Sequence, residues 1–321
     1  MSIKITGTGI GLPKRHVTND ELVSQFGLDT SDEWITTRTG IKGRYICEDE
    51  TLTDLAATAT TNALADAGIA AADLDYIIGS TVAADAHSPS LACAVAERID
   101  ATCAAVDVNG ACTGFLYAID AASALIEAGR ASTILIICAE KMSAHVDWTD
   151  RRTCVLFGDG AAAVVVTRGN ALKYIHLGSR PDTQVISIPN DMAGNNPIAR
   201  DQVPAGFVYM DGQKVFKYAV SMIQQEINDG FANTGLGSED IDYYLFHQAN
   251  LRIIDYAITR LKQPHDKFPT NIERYGNVSS VTIPTLLHEM IHDGRIQPGQ
   301  KLFLCAFGAG MTYGGAIMEW E

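Results

Sequence analysis

The two halves of this chain repeat one another at a nearly constant offset, and that constrains its fold more than any single motif. Gly68-Ile-Ala-Ala-Ala-Asp73-Leu-Asp75-Tyr76 is echoed by Gly235-Leu-Gly-Ser-Glu-Asp240-Ile-Asp242-Tyr243, 167 positions later. Leu135-Ile-Ile-Cys138-Ala139 is echoed by Leu302-Phe-Leu-Cys305-Ala306 at the same offset of 167, and Ala128-Gly129-Arg130 by Asp293-Gly294-Arg295 at 165. A shared spacing across separate matches marks an internal duplication, with units at 1–170 and 171–321.

Within each half, helical and strand patterns alternate. Asp54 to Ala67 is Ala-rich with helical periodicity, and Gly68 follows as a C-cap; Phe115 to Glu127 reads as a helix ended by Gly129. Tyr76 to Thr81, Thr133 to Cys138 and Ala162 to Thr167 are short apolar runs of the kind buried in sheets. Strand–helix alternation carried out twice predicts α/β layers with helices covering both faces of each sheet. Residues 180–213 interrupt the rhythm with Pro181, Pro189, Asn190, Asn195, Asn196, Pro197 and Pro204, which reads as a long irregular excursion of the kind that serves as a lid, a binding segment or a mobile linker.

Composition excludes several classes of function. A net charge of −14 disfavours nucleic acid and anionic membrane as partners, and no stretch approaches the ~20 apolar residues of a spanning helix. The start, Met1 to Gly7, reads directly into a strand and shows no signal or transit pattern. The seven cysteines are odd in number and scattered, which predicts a reduced, cytoplasmic protein.

Three residues carry candidate chemistry. Cys112 follows a strand-like run, lies between Gly110 and Gly114, and precedes a helix starting near Thr113. A thiol at a helix start feels the positive end of the dipole, so a lowered pKa is expected. The other cysteines read as structural. His247 ends the run Tyr243-Tyr-Leu-Phe, at the strand end where α/β folds place their chemistry. Asn277 sits in a turn after Gly276. A thiol, an imidazole and a carboxamide together can carry an acyl group and stabilise charge on a thioester oxygen, which points to carbon–carbon bond formation.

Two other patterns are weaker. In Gly7-Thr-Gly9-Ile-Gly11 the third glycine is misplaced and Pro13 stands where a dinucleotide-binding helix would begin, so a strand end is expected. His288-Glu289-Met-Ile-His292 has the spacing of a zinc hydrolase helix, but Asp293-Gly294 ends the helix at once and no third ligand follows convincingly. An ordinary helix bearing two histidines is the expectation, with no metal.

Over essentially its whole length the chain resembles the thiolase-fold condensing enzymes, specifically the β-ketoacyl-acyl-carrier-protein synthase III family. The resemblance rests on Thr30-Ser-Asp-Glu-Trp34-Ile-Thr-Thr-Arg38-Thr-Gly40-Ile, the segment around Cys112, Phe157-Gly-Asp-Gly160, His247-Gln-Ala-Asn-Leu-Arg252-Ile, Tyr275-Gly-Asn277 and Phe307-Gly-Ala-Gly310. It implies a duplicated, five-layered α-β-α-β-α fold and a homodimer. Cys112 would take an acyl group from acyl-CoA. His247 and Asn277 would donate hydrogen bonds to the thioester oxygen of malonyl carrier protein, and the backbone N–H groups of Cys112 and Ala309 would form an oxyanion hole. No cofactor is implied beyond the substrates. Long-chain ketosynthases of this fold use a second histidine where this chain has Asn277, and degradative thiolases a second cysteine where it has Phe307. Condensing enzymes or acyltransferases of secondary metabolism, acting on other acceptors, remain the alternative, and a non-catalytic partner subunit is disfavoured by Cys112.

The resemblance also assigns substrate-binding positions. Trp34, Arg38 and Arg151 would hold the coenzyme A nucleotide, and Gln213, Phe216 and Asn250 the pantetheine arm. Gln213 stands where asparagine is usual. Lys217, Gln248, Arg252, Arg260 and Lys262 would meet an acidic acyl carrier protein, which needs a local cationic patch to approach so acidic a chain. Phe157 and Ser88 belong to the acyl pocket. Ser88 precedes Pro89 at a position that reaches the partner subunit's pocket, where a bulky aromatic favours acetyl groups. A serine there predicts room for longer or branched starters.

Overall fold

The protein is described here by a computed structural model covering residues 3–189 and 206–321. The first half contains β1 (Ile3–Gly11), a ribbon of β2 (Arg15–Thr18) and β3 (Gly43–Ile46) with α1 (Asn19–Phe26) and α2 (Asp32–Thr39) between them, then α3 (Leu52–Ala67), β4 (Tyr76–Ser80), α4 (Leu91–Arg98), β5 (Ala104–Val108), α5 (Gly114–Glu127), β6 (Thr133–Lys141) and β7 (Asp159–Arg168). The second contains β8 (Leu172–Ser179), β9 (Ile186–Ser187), β10 (Tyr209–Met210), α6 (Gly212–Thr234), β11 (Tyr243–Phe246), α7 (Leu251–Leu261), α8 (Ile272–Tyr275), α9 (Thr282–His292), β12 (Lys301–Gly308) and β13 (Thr312–Glu319).

The repeat in the sequence is a repeat in topology. One sheet has the order β1-β7-β6-β4-β5 and the other β8-β13-β12-β11. In the first, β4 runs parallel to β6 with Tyr76 opposite Ile134; in the second, β11 runs parallel to β12 with Tyr243 opposite Leu302. The remaining neighbours, β6–β7–β1 and β12–β13–β8, are antiparallel in both. Edge strand β5 extends only the first sheet.

Three apolar cores hold five layers together. Helices α3 and α4 cover one face of the first sheet through Leu55, Ala59, Ala63 and Val95. The central interface joins both sheets to α5 and α9 through Phe115, Ile119, Leu286 and Met290. On the far side, α6 and α7 close over the second sheet through Met222, Ile223, Ile254 and Phe303. Each of the larger of these buried side chains contributes roughly 1.5–3 kcal/mol of transfer free energy. Helix α3 starts at a capping box, with the Thr51 hydroxyl accepting from Asp54 N–H and the Asp54 carboxylate from Thr51 N–H, an arrangement typically worth about 1 kcal/mol. It ends where Gly68 turns left-handed at φ 67°.

The glycines of β1 have a packing role and do not form a nucleotide loop. A Cβ on Gly7, Gly9 or Gly11 would fall 2.5, 2.3 or 2.1 Å from a backbone oxygen of α3, so their absence lets helix and strand touch. Within the 180–213 segment, β9 and β10 pair Ser187 with Tyr209 and Ile186 with Met210. Asn190, Asn195, Asn196, Pro197 and Pro204 lie outside the described residues.

Candidate active site

Both sheets send strand ends toward one cavity of about 1110 Å³, whose lining includes Cys112, His247, Asn277, Phe157, Phe216, Asn250, Gly308 and Ala309. Cys112 sits on a single 3-10 turn, Ala111–Thr113, just ahead of α5. Gly308, at the end of β12, comes so near that a Cβ there would lie 2.8 Å from the Cys112 backbone nitrogen. The Thr113 and Thr312 hydroxyls meet at 2.7 Å and join the two halves beside the thiol.

The expected lowering of the Cys112 pKa does not occur. Burial pushes it up to about 12, with the Glu140 carboxyl adding to the rise and the Ser279 side chain opposing it. The cavity reaches Cys112, so it is only half-buried by contact with solvent. Protein nonetheless surrounds the sulfur over the longer range that decides whether a charge is solvated. The helix dipole is weaker than this desolvation, because the thiol stands on the short turn, two residues ahead of the first residue of α5.

His247 follows β11, and its N–H donates to the Cys305 carbonyl at 2.9 Å. Its ring packs edge-on to Phe307 at 5.4 Å, and Nδ1 lies 2.7 Å from the Thr282 hydroxyl. Burial alone drives its pKa down to about 3, so the imidazole is neutral near pH 7. Asn277 is buried, with its N–H on the Leu156 carbonyl at 2.8 Å. Its Oδ1 accepts from Ser279 N–H at 2.9 Å, which fixes the amide orientation and makes Nδ2 the group available as donor.

The remaining assigned residues fall into distinct places. The Arg38 and Arg151 guanidiniums lie 5.5 and 5.2 Å from the Trp34 ring centroid, a stacked trio apart from the cavity lining. Arg151 also donates to the Asp29 carbonyl and approaches its carboxylate at 3.8 Å. Gln213 is exposed and does not line the cavity, although Gly212, Val215 and Phe216 do. Asn250 lines it and also caps α7, its side chain accepting from Arg252 N–H at 3.0 Å. Ser88 is exposed outside this chain's own cavity, while its neighbour His87 lines it.

Lys217, Arg252, Arg260 and Lys262 are exposed; Arg252 lies 5.9 Å from the Phe216 ring, and Arg260 donates to Gln224 at 2.9 Å. Gln248 does not belong with them. It is fully buried, its amide turning back to donate to the Phe246 carbonyl at 2.7 Å, so it cannot meet a docked protein.

The histidines of α9 both approach the Thr8 hydroxyl, His288 at 2.9 Å and His292 at 3.2 Å. Glu289 faces other partners, accepting from Arg274, Tyr275 and Asn271. Among the described residues no group of three His, Cys, Asp or Glu is placed to hold a metal.

Thr282, Ser279 and Glu140 are the contributors that sequence reasoning passed over. The signal available for Glu140 was a lone acid closing the apolar run Thr133 to Ala139.

A cavity thiol, a neutral imidazole and an oriented carboxamide at the junction of two duplicated α/β halves define the class as a thiolase-fold condensing enzyme. Comparison with known proteins is specific. Patterns described as 3-oxoacyl-[acyl-carrier-protein] synthase III and its C-terminal region match residues 106–181 and 231–320. The chain is 42% identical over 324 residues to a β-ketoacyl-[acyl-carrier-protein] synthase III of Clostridium perfringens, covering 98% of each. The crystal structure of 3-oxoacyl-[acyl-carrier-protein] synthase III from Aquifex aeolicus superposes with TM-score 0.92 at 38% identity, covering 99% of this chain and 100% of that one. The priming β-ketosynthase of the R1128 polyketide pathway superposes with TM-score 0.91 at 32% identity, covering 99% and 96%. The chain belongs to the β-ketoacyl-acyl-carrier-protein synthase III family.

Proposed function

We propose that this protein condenses a short acyl-CoA with malonyl acyl carrier protein, giving 3-oxoacyl carrier protein, CoA and CO₂, and so begins fatty acid synthesis. The observation that carries the reading is the convergence of Cys112, His247 and Asn277 on one cavity, with the Asn277 oxygen already occupied and its N–H₂ left to donate. Cys112 Sγ attacks the acyl-CoA carbonyl, the C–S bond to CoA breaks, and the thiol proton leaves with CoA. Loss of CO₂ from the malonyl group then puts negative charge on its thioester oxygen. Neutral donors from His247 Nε2 and Asn277 Nδ2 meet that charge as it develops, each worth roughly 2.7–4 kcal/mol in comparable sites. The enolate carbon attacks the acyl-Cys112 carbonyl, whose oxyanion rests on the N–H groups of Cys112 and Ala309. Collapse expels the Cys112 thiolate, which regains a proton.

The raised pKa of the resting thiol fits this sequence, because the charged form is avoided until substrate is aligned. No cofactor is needed, since decarboxylation supplies the carbanion. Residues 1–170 would act as the half carrying the nucleophile, and 171–321 as the half carrying the donors.

A homodimer is supported by edge strand β5, where apolar Val106 is 43% exposed and the strand's outer edge has no neighbour among the described residues. In such a dimer Ser88 would approach the partner's acyl pocket, beside Phe157 and its neighbours. Trp34, Arg38 and Arg151 would bind the CoA nucleotide, and Phe216 and Asn250 the pantetheine arm. A cytoplasmic setting is supported by seven free cysteines. Among the described residues no helix is long and apolar enough to cross a membrane.

The similarity to a polyketide priming ketosynthase keeps a second reading in view, in which the acceptor is a carrier protein of secondary metabolism. Incubation with candidate acyl-CoAs, followed by mass spectrometry of the acylated peptide and addition of malonyl carrier proteins of both kinds, tests both. Acylation of Cys112 followed by 3-oxoacyl product is expected; a label on another residue, or none, defeats the mechanism.

A further inference from the structure

Glu140 is the penultimate residue of β6 and is 0% exposed. Its carboxyl accepts from the Ser280 hydroxyl at 2.9 Å and from Val82 N–H at 2.9 Å, with the Thr81 hydroxyl at 3.4 Å. Those partners come from both halves of the molecule, the loop after β4 and the turn after Asn277. Among the described residues no cation forms an ion pair with it, and burial raises its pKa to about 7. A buried acid held only by neutral donors is costly, and its retention calls for an account in terms of what it holds.

What it holds is the turn that presents Asn277. Ser279 adopts a left-handed φ of 48°, uncommon for a residue with a side chain, and its N–H is the donor that orients the Asn277 amide. Ser280, the next residue, is tied to Glu140 and also borders the nucleophile. A Cβ on Gly114, two residues beyond Cys112, would fall 3.4 Å from Ser280 Cβ. One side chain thus sets the distance between the donor turn and the start of α5.

We propose that Glu140 is a positioning residue, whose hydrogen bond to Ser280 holds the Asn277 donor in register with Cys112. This rests on the condensing reaction proposed above. It separates the two half-reactions: acylation of Cys112 does not use Asn277, whereas decarboxylation of the malonyl group does.

The test uses the whole protein and measures Cys112 acylation by acyl-CoA separately from 3-oxoacyl product formation. Ser280→Ala removes the hydroxyl tie, leaving Glu140 its bond to Val82 and its contacts with the Ser279 side chain and the Ser280 backbone. Its condensation kcat is expected to fall by about tenfold to a hundredfold, the cost of a misplaced group, with acylation changed by less than about twofold. Glu140→Ala should lose condensation alike, although its acylation can also change because the carboxyl acts on the Cys112 thiol, and Glu140→Gln, which can accept from Val82 and donate to Ser280, should restore condensation. The double variant Glu140→Ala with Ser280→Ala should lose no more than either single one. Acylation and condensation falling together in Ser280→Ala, condensation untouched in it, or additive losses would each overturn the proposal. Absence of Cys112 acylation in the unsubstituted protein would instead refute the functional reading.

Discussion

His247 Nδ1 and the Thr282 hydroxyl lie 2.7 Å apart in a fully enclosed contact. The same hydroxyl also stands 3.2 Å from the Ser279 carbonyl oxygen, and it has a single proton to give. If that proton goes to Nδ1, the neutral ring carries its own on Nε2 and can donate into the cavity. If it goes to Ser279, Nδ1 is the protonated nitrogen and Nε2 only accepts. The proposed reaction needs the first arrangement. Thr282→Val removes the choice and leaves the ring without an Nδ1 partner. We expect its condensation kcat to fall by about tenfold to a hundredfold, a fraction of the loss of a full oxyanion donor, while acylation of Cys112 is spared. Stopped-flow or quenched-flow separation of the two steps checks this, and equal losses in both would falsify it.

Neutrality of His247 also has a signature in stability. Its pKa falls from 6.5 to about 3 in the folded protein, so between those values the unfolded chain binds more protons. This group's contribution is therefore complete above about pH 6.5 and is lost as pH falls toward 3, by roughly 1.4 kcal/mol for each pH step of one. Glu140 acts in the opposite sense. Its pKa is raised from 4.5 to about 7, so its contribution is complete below 4.5 and is lost as pH rises through about 7. Urea midpoints for the unsubstituted protein and His247→Gln, measured from pH 4.5 to 7.5, should converge toward low pH. A constant gap over that range would show that His247 is not held neutral by burial.

Much of this arrangement was legible in the sequence, for reasons that separate local from long-range physics. The helix closed by Gly68 and the strand that delivers His247 follow from periodicity and turn chemistry, which act over a few residues, and the duplication from the constant offset of its echoes. The acidity of Cys112 did not follow, because its environment is built from Phe157, Phe307, Glu140 and Ser279, which no local pattern brings near it. Gln248 was misplaced for a related reason. A polar residue between a strand and a helix reads as exposed, yet here it satisfies the Phe246 carbonyl and accepts from Asn271 inside the fold. The partnership of His247 with Thr282 joins residues 35 positions apart and leaves no periodic trace.

Asn277 offers a sharper probe of the charge it is proposed to meet. Its Oδ1 is held by Ser279 N–H, so Asn277→Asp preserves that bond while replacing the donor with a carboxylate oxygen. A negative charge beside the developing enolate opposes it. Decarboxylation should therefore drop by at least about 10²-fold, as for loss of an oxyanion donor, with Cys112 still acylated. Direct measurement of CO₂ release from malonyl carrier protein distinguishes this from a defect in the later attack.

Starter choice depends on Ser88 in the proposed dimer. Its small side chain leaves space where a larger one would shorten the acyl pocket. Rates of Cys112 acylation should be sustained with isobutyryl- and hexanoyl-CoA relative to acetyl-CoA, and Ser88→Phe should depress the longer substrates selectively. Strict acetyl preference in the unsubstituted protein would remove Ser88 from the account.

Carrier docking gives the last expectation. Arg252 and Arg260 lie on α7, whose N-terminal end meets the cavity at Asn250, and the Arg252 guanidinium rests 5.9 Å from the ring of cavity-lining Phe216. In a chain of net charge −14, the overall field opposes an acidic carrier protein, so a local cationic patch is needed to draw it in. Arg252→Glu should raise KM for malonyl carrier protein by about tenfold at low ionic strength, through slower encounter, and leave acyl-CoA loading intact. Because the effect is electrostatic and exposed, salt should shrink it: at ~0.5 M the two proteins should differ by no more than about twofold. A KM difference that persists undiminished in high salt would mean that Arg252 packs against the pantetheine arm through Phe216 and does not steer the carrier. The malonyl-pantetheine KM of the variant, measured without any carrier protein, separates those two roles.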